Sequence, residues 1–358
     1  MATERKKRHW LSRFSFGTVS LVLSALMLLA YLSVVVNPAK AWFFTLFGLL
    51  YPLVLPLTIG LFVWAVLRRS RMRGLLLAVL LPSFFFAGRY LQLRRHAPES
   101  ECPLKVISYN VGLFAHGDEN LSRNTRADSL CRWLSRQDAD LICLQEVHFP
   151  SSVSPASWLR ERFPGYEIEY YALKRKSGRS GNVTLSRYPV VGKGKIDFEK
   201  SHNMALWTDI RLDSSTVRVY NCHFESYNIS LSNLVKKDGA VEETERKMRR
   251  SIIERPKQVA EVLRGIDGAP VRSLVVGDFN DSPLSYTYYR LLRGRKDSFV
   301  KAGRGFGATY RTLWPLLRID FILYPPDLEA ATYRVPHLKY SDHYPIIATY
   351  HESGRNTR

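Results

Sequence analysis

The stretch Leu274-Val275-Val276-Gly277-Asp278-Phe279-Asn280-Asp281 sets the interpretation of the whole sequence. Its run of Leu and Val has the pattern of a buried strand, and the run ends abruptly at a glycine. A glycine at that point allows a tight backbone turn, so the side chains that follow can gather at one end of a sheet. A strand followed by a polar turn would explain this stretch if it stood alone.

Four further motifs share this arrangement, because each places an ionisable or amide residue at or just after the end of an apolar run. They are Leu144-Gln145-Glu146-Val147, Asn221-Cys222-His223-Phe224, Arg318-Ile319-Asp320-Phe321 and Ser341-Asp342-His343-Tyr344. Together they predict one polar site at the strand ends.

The acids of these motifs, Glu146, Asp278, Asp320 and Asp342, would repel one another in one cluster unless a cation offset their charge. Oxygen ligands without cysteine pairs or a histidine-rich set favour Mg²⁺, with Mn²⁺ as an alternative, over zinc. Such a metal beside histidines suits the attack of water on a phosphate ester. A carboxylate would activate the water, and an imidazole would stabilise the transition state.

The motifs, in this order, resemble those of the endonuclease/exonuclease/phosphatase superfamily, which has the DNase I-like fold. The likeness covers about residues 103–350 and includes Ser108-Tyr109-Asn110-Val111 and the turn Ser186-Arg187-Tyr188-Pro189. The many short strands and few helices indicate two packed sheets covered by helices. The predicted class is therefore α/β (α+β), a four-layer αββα sandwich preceded by transmembrane helices.

The resemblance also implies roles for individual side chains. Asn110, Glu146 and Asp342 would hold the metal. The implied catalytic residues are His223, Asp278, Asn280, Asp320 and His343, of which Asn280 and His223 would also bind substrate.

Within that set, the resemblance implies that Asp278 positions or deprotonates water and that Asn280 holds phosphate. Asp320 would orient His343, which would also resolve the cost of a carboxylate inside an apolar strand. A plain structural role remains open for Asn110 as a strand-end hydrogen bonder, and for His223 as a core histidine. Asp281 could be only a turn residue or a helix cap.

Three apolar runs precede this part of the chain, at about residues 16–36, 41–67 and 74–91. The first is long enough to cross a bilayer and exceeds the core of a signal peptide, although Ala39-Lys40-Ala41 resembles a cleavage site. We expect three membrane helices, with residues 1–96 forming an anchor and residues 97–358 the catalytic domain.

The charges around these runs predict their orientation. Five Lys/Arg precede the first run, and the second connection holds Arg68, Arg69, Arg71 and Arg73. By the positive-inside bias these segments are cytoplasmic, so three crossings place the catalytic domain outside the cytoplasm, on an inner membrane. If the third run does not span, the domain is cytoplasmic instead.

Basic residues are in excess in the soluble part as well. Residues 1–100 hold 13 Lys/Arg and 2 Asp/Glu, which leaves 39 (52 − 13) and 30 (32 − 2), a net charge of +9. An ordinary basic surface and attraction to a polyanion both fit this excess.

A phosphate-ester substrate is expected, with nucleic acid favoured and a phospholipid head group or an inositol phosphate as alternatives. The segment Phe224-Glu225-Ser226 resembles both tyrosyl-DNA phosphodiesterases and sphingomyelinase-type lipases. An inactive member that only binds polyanions is a rival. A transporter is disfavoured because the apolar helices lack buried ionisable residues. We expect a monomer.

Local patterns predict the remaining elements. Helices are expected at about residues 124–137, 241–264 and 284–293. Strands are expected at about residues 105–109, 140–144, 166–171, 182–187, 205–212, 216–222, 272–277, 319–323, 331–335 and 345–350.

Overall fold

The computed structural model describes residues 2–93, 104–175, 178–199, 201–212, 215–227, 240–269 and 271–352. Most of the predicted polar segment 226–240 lies outside the described residues.

Two six-stranded sheets form the centre of the fold. The first has the order β13-β14-β2-β3-β5-β4 and the second the order β10-β12-β9-β8-β7-β6. The strands of the first sheet are β2 (Leu104–Asn110), β3 (Leu141–Phe149), β4 (Glu167–Arg175), β5 (Gly178–Ser186), β13 (Leu328–Arg334) and β14 (Ile346–Glu352). Those of the second are β6 (Val190–Asp197), β7 (Met204–Leu212), β8 (Ser215–His223), β9 (Arg272–Asp278), β10 (Lys296–Asp297) and β12 (Asp320–Tyr324).

Apolar residues from both sheets form the layer between them. Val106 and Cys143 of the first sheet share one buried cluster with Val219 and Val276 of the second. The outer faces pack against helices, as Leu130 of the helix Arg123–Ser135 does on one side. The helix at 240–267 covers the other sheet. This arrangement confirms the predicted four-layer αββα sandwich.

The central strands are buried along almost their whole length because both of their faces are covered. β9 is buried at six of its seven positions, which matches the near-continuous apolar runs of the sequence. Each sheet contains one parallel pair, β2 with β3 and β8 with β9. The carboxyl ends of these strands meet at one edge, so the residues that follow them converge there.

The predicted helices at about residues 124–137, 241–264 and 284–293 are present, with bounds that differ by a few residues. Among the described residues after 103, the α-helices are Arg123–Ser135, Pro155–Arg162, Ala240–Asp267, Tyr286–Leu292 and Ser298–Ala302. Ser122 caps the first of them, because its Oγ accepts a hydrogen bond from the Thr125 amide at 3.1 Å. The helix at 155–162 and the strand β6 are absent from the sequence prediction.

The N-terminal part is helical, at Ala2–Leu32, Phe44–Leu67, Met72–Leu80 and Ser83–Phe86. Three stretches, Ser15–Leu32, Phe44–Leu67 and Met72–Arg89, are long and apolar enough to span a membrane. The first helix ends at Leu32, before the predicted end of its run at residue 36. The third stretch is interrupted near Pro82, whose ring cannot continue the hydrogen-bond ladder of the preceding helix.

Candidate active site

Unusual backbone geometry marks the edge where the motifs meet. Glu146 has φ 54° and Asn280 has φ 50°, and Glu146 lies in an irregularity of β3 between Leu144 and Val147. Such conformations cost about 1–3 kcal/mol each in a non-glycine residue and cluster at functional sites. Gly277 is required as a glycine, because a Cβ there would lie 2.0 Å from the Cys222 carbonyl oxygen.

Asp278 occupies the middle of the site and is fully buried. Asn110 Nδ2 donates to Asp278 Oδ2 at 2.9 Å and to Glu146 Oε1 at 3.1 Å. The Asn110 Oδ1 accepts from the Gly112 amide at 3.0 Å. Asn110 therefore bridges the two carboxylates through its nitrogen, and the loop after β2 holds its oxygen.

Asn280 fixes the other side of the same carboxylate. Its amide donates to Asp278 Oδ1 at 2.8 Å, and its Nδ2 donates to Asp278 Oδ2 at 3.1 Å. The same Nδ2 donates to the Phe224 carbonyl oxygen at 2.9 Å. These bonds give Asp278 one fixed orientation towards the histidines.

His343 and Asp320 form a buried pair beside Asp278. The Nδ1 of His343 lies 2.9 Å from Asp320 Oδ2, and its Nε2 lies 3.7 Å from Asp278 Oδ2. Burial by itself lowers the pKa of His343, but the charges of Asp320 and Asp278 outweigh it and hold that pKa well above its usual range. The two carboxylates therefore favour the protonated, cationic form of the imidazole.

Burial also raises the pKa of Asp278, to about 6, although the nearby histidines and the Asn110 hydrogen bond oppose the shift.

Thr309 holds the backbone of Asp320 in place. The Thr309 Oγ1 accepts from the amides of Ile319 and Asp320, both at 3.1 Å.

His223 and Glu146 form a second, more open pair. His223 Nε2 lies 3.4 Å from Glu146 Oε1 and 3.8 Å from Asp278 Oδ2. Both side chains line a cleft of about 660 Å³. The basic residues of that cleft are Arg123, His148, Arg175, His202, Lys247 and Arg250.

Asp342 lies beside the loop after β2. Its Oδ1 is 3.4 Å from His116 Nε2 and accepts from Ser341 Oγ at 3.2 Å. The Ser341 Oγ also donates to the Asn110 carbonyl oxygen at 2.8 Å. The structure thus brings all eight predicted site residues to one end of the sheets, with Asp342 at the margin.

Two groups of ligand atoms at this edge could hold a divalent cation, one around His343 and one around Glu146. The ligand atoms of Asp278, Asp320 and His343 lie within 4.8 Å of one another. The Glu146 carboxylate faces the cleft, and carboxylate and amide oxygens are the ligands that Mg²⁺ prefers.

A polar layer below the site was not predicted as such. Gln145 Nε2 donates to Asn221 Oδ1 at 2.7 Å, and Asn221 Nδ2 donates to the Val183 carbonyl at 2.8 Å. Asn182 Nδ2 donates to the Asn221 carbonyl at 3.0 Å. Gln145 and Asn221 both lie within the sequence motifs of the site. An amide side chain in an otherwise apolar strand is the feature from which this polar layer could have been predicted.

Asp281, which the sequence also allows as a turn residue or a helix cap, forms a buried ion pair. Its Oδ2 lies 3.1 Å from Arg255 Nη1. Arg255 also donates from Nε to the Glu225 carbonyl at 2.9 Å and from Nη1 to the Tyr227 hydroxyl at 3.1 Å. Arg255 belongs to the helix Ala240–Asp267, so this helix connects the segment after His223 with the segment after Asn280.

The sequence profile of the Endonuclease/Exonuclease/phosphatase family matches residues 107–343. The chain belongs to this family. It is therefore a phosphoric ester hydrolase in general class, and enzymes of the family generally depend on a divalent metal. A second profile, described as a domain of unknown function, matches residues 12–90.

Solved structures of the family share the fold at low identity. One from Beutenbergia cavernae is 18% identical, with a TM-score of 0.53 and coverage of 70% of this chain and 72% of that chain. The human Nocturnin catalytic domain with bound sulfate is 16% identical, with a TM-score of 0.53 and coverage of 71% and 97%.

The Bacteroides thetaiotaomicron mannosyl-6-phosphatase is 16% identical, with a TM-score of 0.50 and coverage of 69% of this chain and 99% of that chain. The comparison with curated protein sequences gives no match.

Proposed function

We propose that this chain is a membrane-anchored, Mg²⁺-dependent phosphodiester hydrolase whose favoured substrate is nucleic acid. The observation that supports it best is the buried Asp320–His343 pair, which aims His343 at Asp278 beside a basic cleft. An inactive, polyanion-binding protein would not need this arrangement of buried acids.

Asp278 is the proposed general base. Three donors from Asn110 and Asn280 orient its carboxylate. Because burial raises its pKa to about 6, it is mostly ionised at neutral pH yet remains a stronger base than an exposed aspartate. It can therefore accept a proton from the water that attacks phosphorus.

His343 is the proposed stabiliser of the phosphoryl oxygens. Its Nδ1–H donates to Asp320, so the Nε2–H faces the interior of the site next to Asp278. The carboxylates keep the ring cationic, and a fixed cation stabilises the charge that develops in the transition state. Asp320 acts through His343 as a positioning residue.

Glu146, Asn110 and Asp342 are the residues proposed to hold the metal. Asn110 would need to rotate its amide for this role, because its Nδ2 faces Glu146 and its Oδ1 accepts from the Gly112 amide. The alternative cluster of Asp278, Asp320 and His343 is less suitable, because His343 Nδ1 and Asp320 already share a hydrogen bond. A bound Mg²⁺ would polarise a phosphoryl oxygen and offset charge on the leaving oxygen.

The cleft beside Glu146 supports a polyanionic substrate. Arg123, Arg175, Lys247 and Arg250 line it, and Glu146 and Glu225 are its acids. His223 lines the same cleft and is proposed to contact a phosphate group. Asn280 donates both hydrogens of its side-chain amide to Asp278 and Phe224, so we propose that it acts on the substrate through Asp278. Several cations along one cleft favour a substrate that carries more than one phosphate.

A phospholipid head group is the second candidate, and one observation favours it. The carbonyl oxygen of Leu284, four residues after Asn280, accepts a hydrogen bond from Ser33 Oγ at 2.7 Å. The catalytic part therefore packs directly on the helices that we propose to span the membrane.

The same contact supports the proposed topology. Ser33 follows the first helix and Gly48 lies near the start of the second, and both contact the Leu284 carbonyl. The basic segments, at the N-terminus and at residues 68–73, belong to the other ends of these helices. We accordingly assign residues 1–96 to the anchor and place the domain at 97–358, opposite the basic and hence cytoplasmic side.

The test uses the full chain in nanodiscs with bis-p-nitrophenyl phosphate, single-stranded DNA and phosphatidylcholine as separate substrates. We expect hydrolysis that stops on chelation and returns with Mg²⁺, and activity on DNA that falls steeply with salt. Turnover of the lipid but not of DNA would select the second candidate. Failure on all three substrates would favour the inactive binder and overturn the proposal.

A further inference from the structure

The catalytic part is fixed to the helical part at a first contact, around Leu284. Its side chain lies in one buried cluster with Met27, Tyr51 and Val79 of the three apolar helices. The backbone approach is close, since a Cβ at Gly48 would lie 2.3 Å from the Leu284 carbonyl oxygen. The two parts are therefore packed together and not merely joined by a linker.

A second contact lies at the end of the third apolar stretch. Strand β1 (Leu91–Gln92) begins just after that stretch ends at Arg89, and it pairs antiparallel with β11 (Gly305–Phe306). The Gly307 amide also donates to the Tyr90 carbonyl at 3.0 Å. Because a strand rises about 3.3 Å per residue, Phe306 lies within about 10–15 Å of the end of the proposed span.

Exposed apolar side chains follow this second contact. Phe306, Leu313 and Trp314 are 49%, 40% and 45% exposed, and Leu91, paired with Phe306, is 37% exposed. The Phe306 and Trp314 rings meet edge to face with centroids 6.1 Å apart. Trp and other amphipathic rings are enriched at the boundary between a bilayer and water.

The positive charge of the catalytic part is concentrated in the same segment. Residues 283–319 contain eight Lys/Arg and one acid, a net +7 (8 − 1) out of the +9 carried by residues 101–358. That acid, Asp297, is itself buried in a bidentate pair with Arg318. The exposed basic residues of the segment include Arg290, Arg293 and Arg304.

A cleft of about 360 Å³ opens on this face. It is lined by Arg304, Phe306, Trp314 and Arg334, among others. Two guanidinium groups beside two aromatic rings provide donors for a phosphate and an apolar surface for the first part of an acyl chain.

We propose that the face formed by Phe306, Leu313 and Trp314 rests on the surface of the bilayer, and that its Arg304–Arg334 cleft binds the head group of an anionic phospholipid. This inference rests on the membrane anchoring proposed above. It concerns a binding surface and not the substrate, because the face is distinct from the cleft that contains Glu146 and His223.

The test places one bimane label on the full chain in nanodiscs, in a Cys102→Ser background, because the cysteines at 131, 143 and 222 are buried. Leu313→Cys reports the proposed face. Val191→Cys is the matched control, since Val191 is 46% exposed and lies on β6, at the opposite edge of the sheet from β10. Leu57→Cys reports the anchor itself, because Leu57 is a 62% exposed residue of the second helix.

We expect nitroxide-labelled lipids to quench the labels at 313 and 57 but not at 191. Phosphatidylglycerol should strengthen quenching at 313 relative to phosphatidylcholine alone, and Arg304→Gln should remove that increment. A label at 313 that behaves like the one at 191, while 57 is quenched, overturns this inference and leaves the anchor standing. A label at 313 that responds to an added oligonucleotide and not to lipid also overturns it. No quenching at 57 contradicts the anchoring itself.

Discussion

Two histidine–carboxylate pairs flank Asp278, and they differ in burial. In the first, His343 and Asp320 are hydrogen-bonded at 2.9 Å, with side chains only 7% and 1% exposed. In the second, His223 and Glu146 stand 3.4 Å apart, and the Glu146 side chain is 30% exposed. The second nitrogen of His343 and the Nε2 of His223 lie at nearly equal distances from Asp278 Oδ2, 3.7 and 3.8 Å.

We propose that this difference in burial reflects a division of labour between the two pairs. In the closed pair, the Asp320 carboxylate is already engaged by the imidazole, so we propose that it positions the His343 ring and does not bind the metal. In the open pair, Glu146 faces the cleft and keeps oxygen atoms available for a metal. The predictions below test whether these two pairs are as different in function as they are in structure.

The largest effect is expected where the closed pair loses its cation. His343→Ala should lower kcat by about 10³-fold or more, because a fixed transition-state donor is removed. Steady-state hydrolysis of bis-p-nitrophenyl phosphate at saturating Mg²⁺ measures it. His351→Ala, on β14, is the matched control and should change kcat little; similar losses in both variants would show that the effect is structural.

The open pair should respond to metal instead. Glu146→Gln keeps the size of the side chain but removes its charge, so we expect a loss of about 100-fold at limiting Mg²⁺. Raising Mg²⁺ should restore much of the rate, since the remaining ligands still hold the ion weakly. A Mg²⁺ titration of the rate measures this, and a deficit that no concentration of metal relieves would argue against a ligand role for Glu146.

A smaller, pH-dependent effect is expected for Asp320→Asn. The carboxylate raises the pKa of His343, so the active imidazolium persists to higher pH in the native enzyme. Without that charge the histidine loses its proton at lower pH, and the alkaline limb of kcat should move down by about 1–3 pH units. The acidic limb, assigned to Asp278 with its pKa of about 6, should also move down, by less, because the charge of Asp320 contributes to raising that pKa. If the alkaline limb did not move, His343 would not be the group whose deprotonation causes it.

The smallest effect concerns the cleft of the open pair. Lys247→Gln should raise KM for DNA about threefold to tenfold and reduce the salt slope by about one, with little change for bis-p-nitrophenyl phosphate. Lys257→Gln on the same helix is the matched control. Lys247 pairs with Glu243 at 2.7 Å and Lys257 with Glu254 at 2.8 Å, but only Lys247 lines the cleft. If the two substitutions changed KM and the salt slope equally, the effect would come from the net charge of the protein and not from a contact between Lys247 and the substrate.

The two pairs also differ in how far the sequence could predict them. Asp320 lies in an apolar strand, where an unpaired acid is costly, so a partner for it follows from elementary energetics. The open state of Glu146 depends on an irregularity in β3 and on a positive φ. Such backbone detail has no signature in side-chain periodicity, although the Gln145-Glu146 motif located the residue.

The sandwich was predictable because its central strands are continuous apolar runs. Strand β6 (Val190–Asp197) was not, since its alternation of half-buried and exposed positions includes two glycines, Gly192 and Gly194. Gly194 is explained only by tertiary packing, because a Cβ there would lie 2.4 Å from the Trp207 ring. The contact of Leu284 with the apolar helices could likewise not be predicted from the sequence, because it joins segments that are far apart in the chain.

Manganese binding tests the division of labour most directly. Mn²⁺ titration followed by electron paramagnetic resonance, on the full chain without substrate, compares the native protein with Glu146→Gln and Asp320→Asn. We expect Glu146→Gln to weaken the dissociation constant by about tenfold or more, and Asp320→Asn to leave it within about threefold of native. If Asp320→Asn weakened Mn²⁺ binding as much as Glu146→Gln did, the metal would lie in the Asp278–Asp320–His343 cluster, and the roles assigned to the two pairs would be wrong.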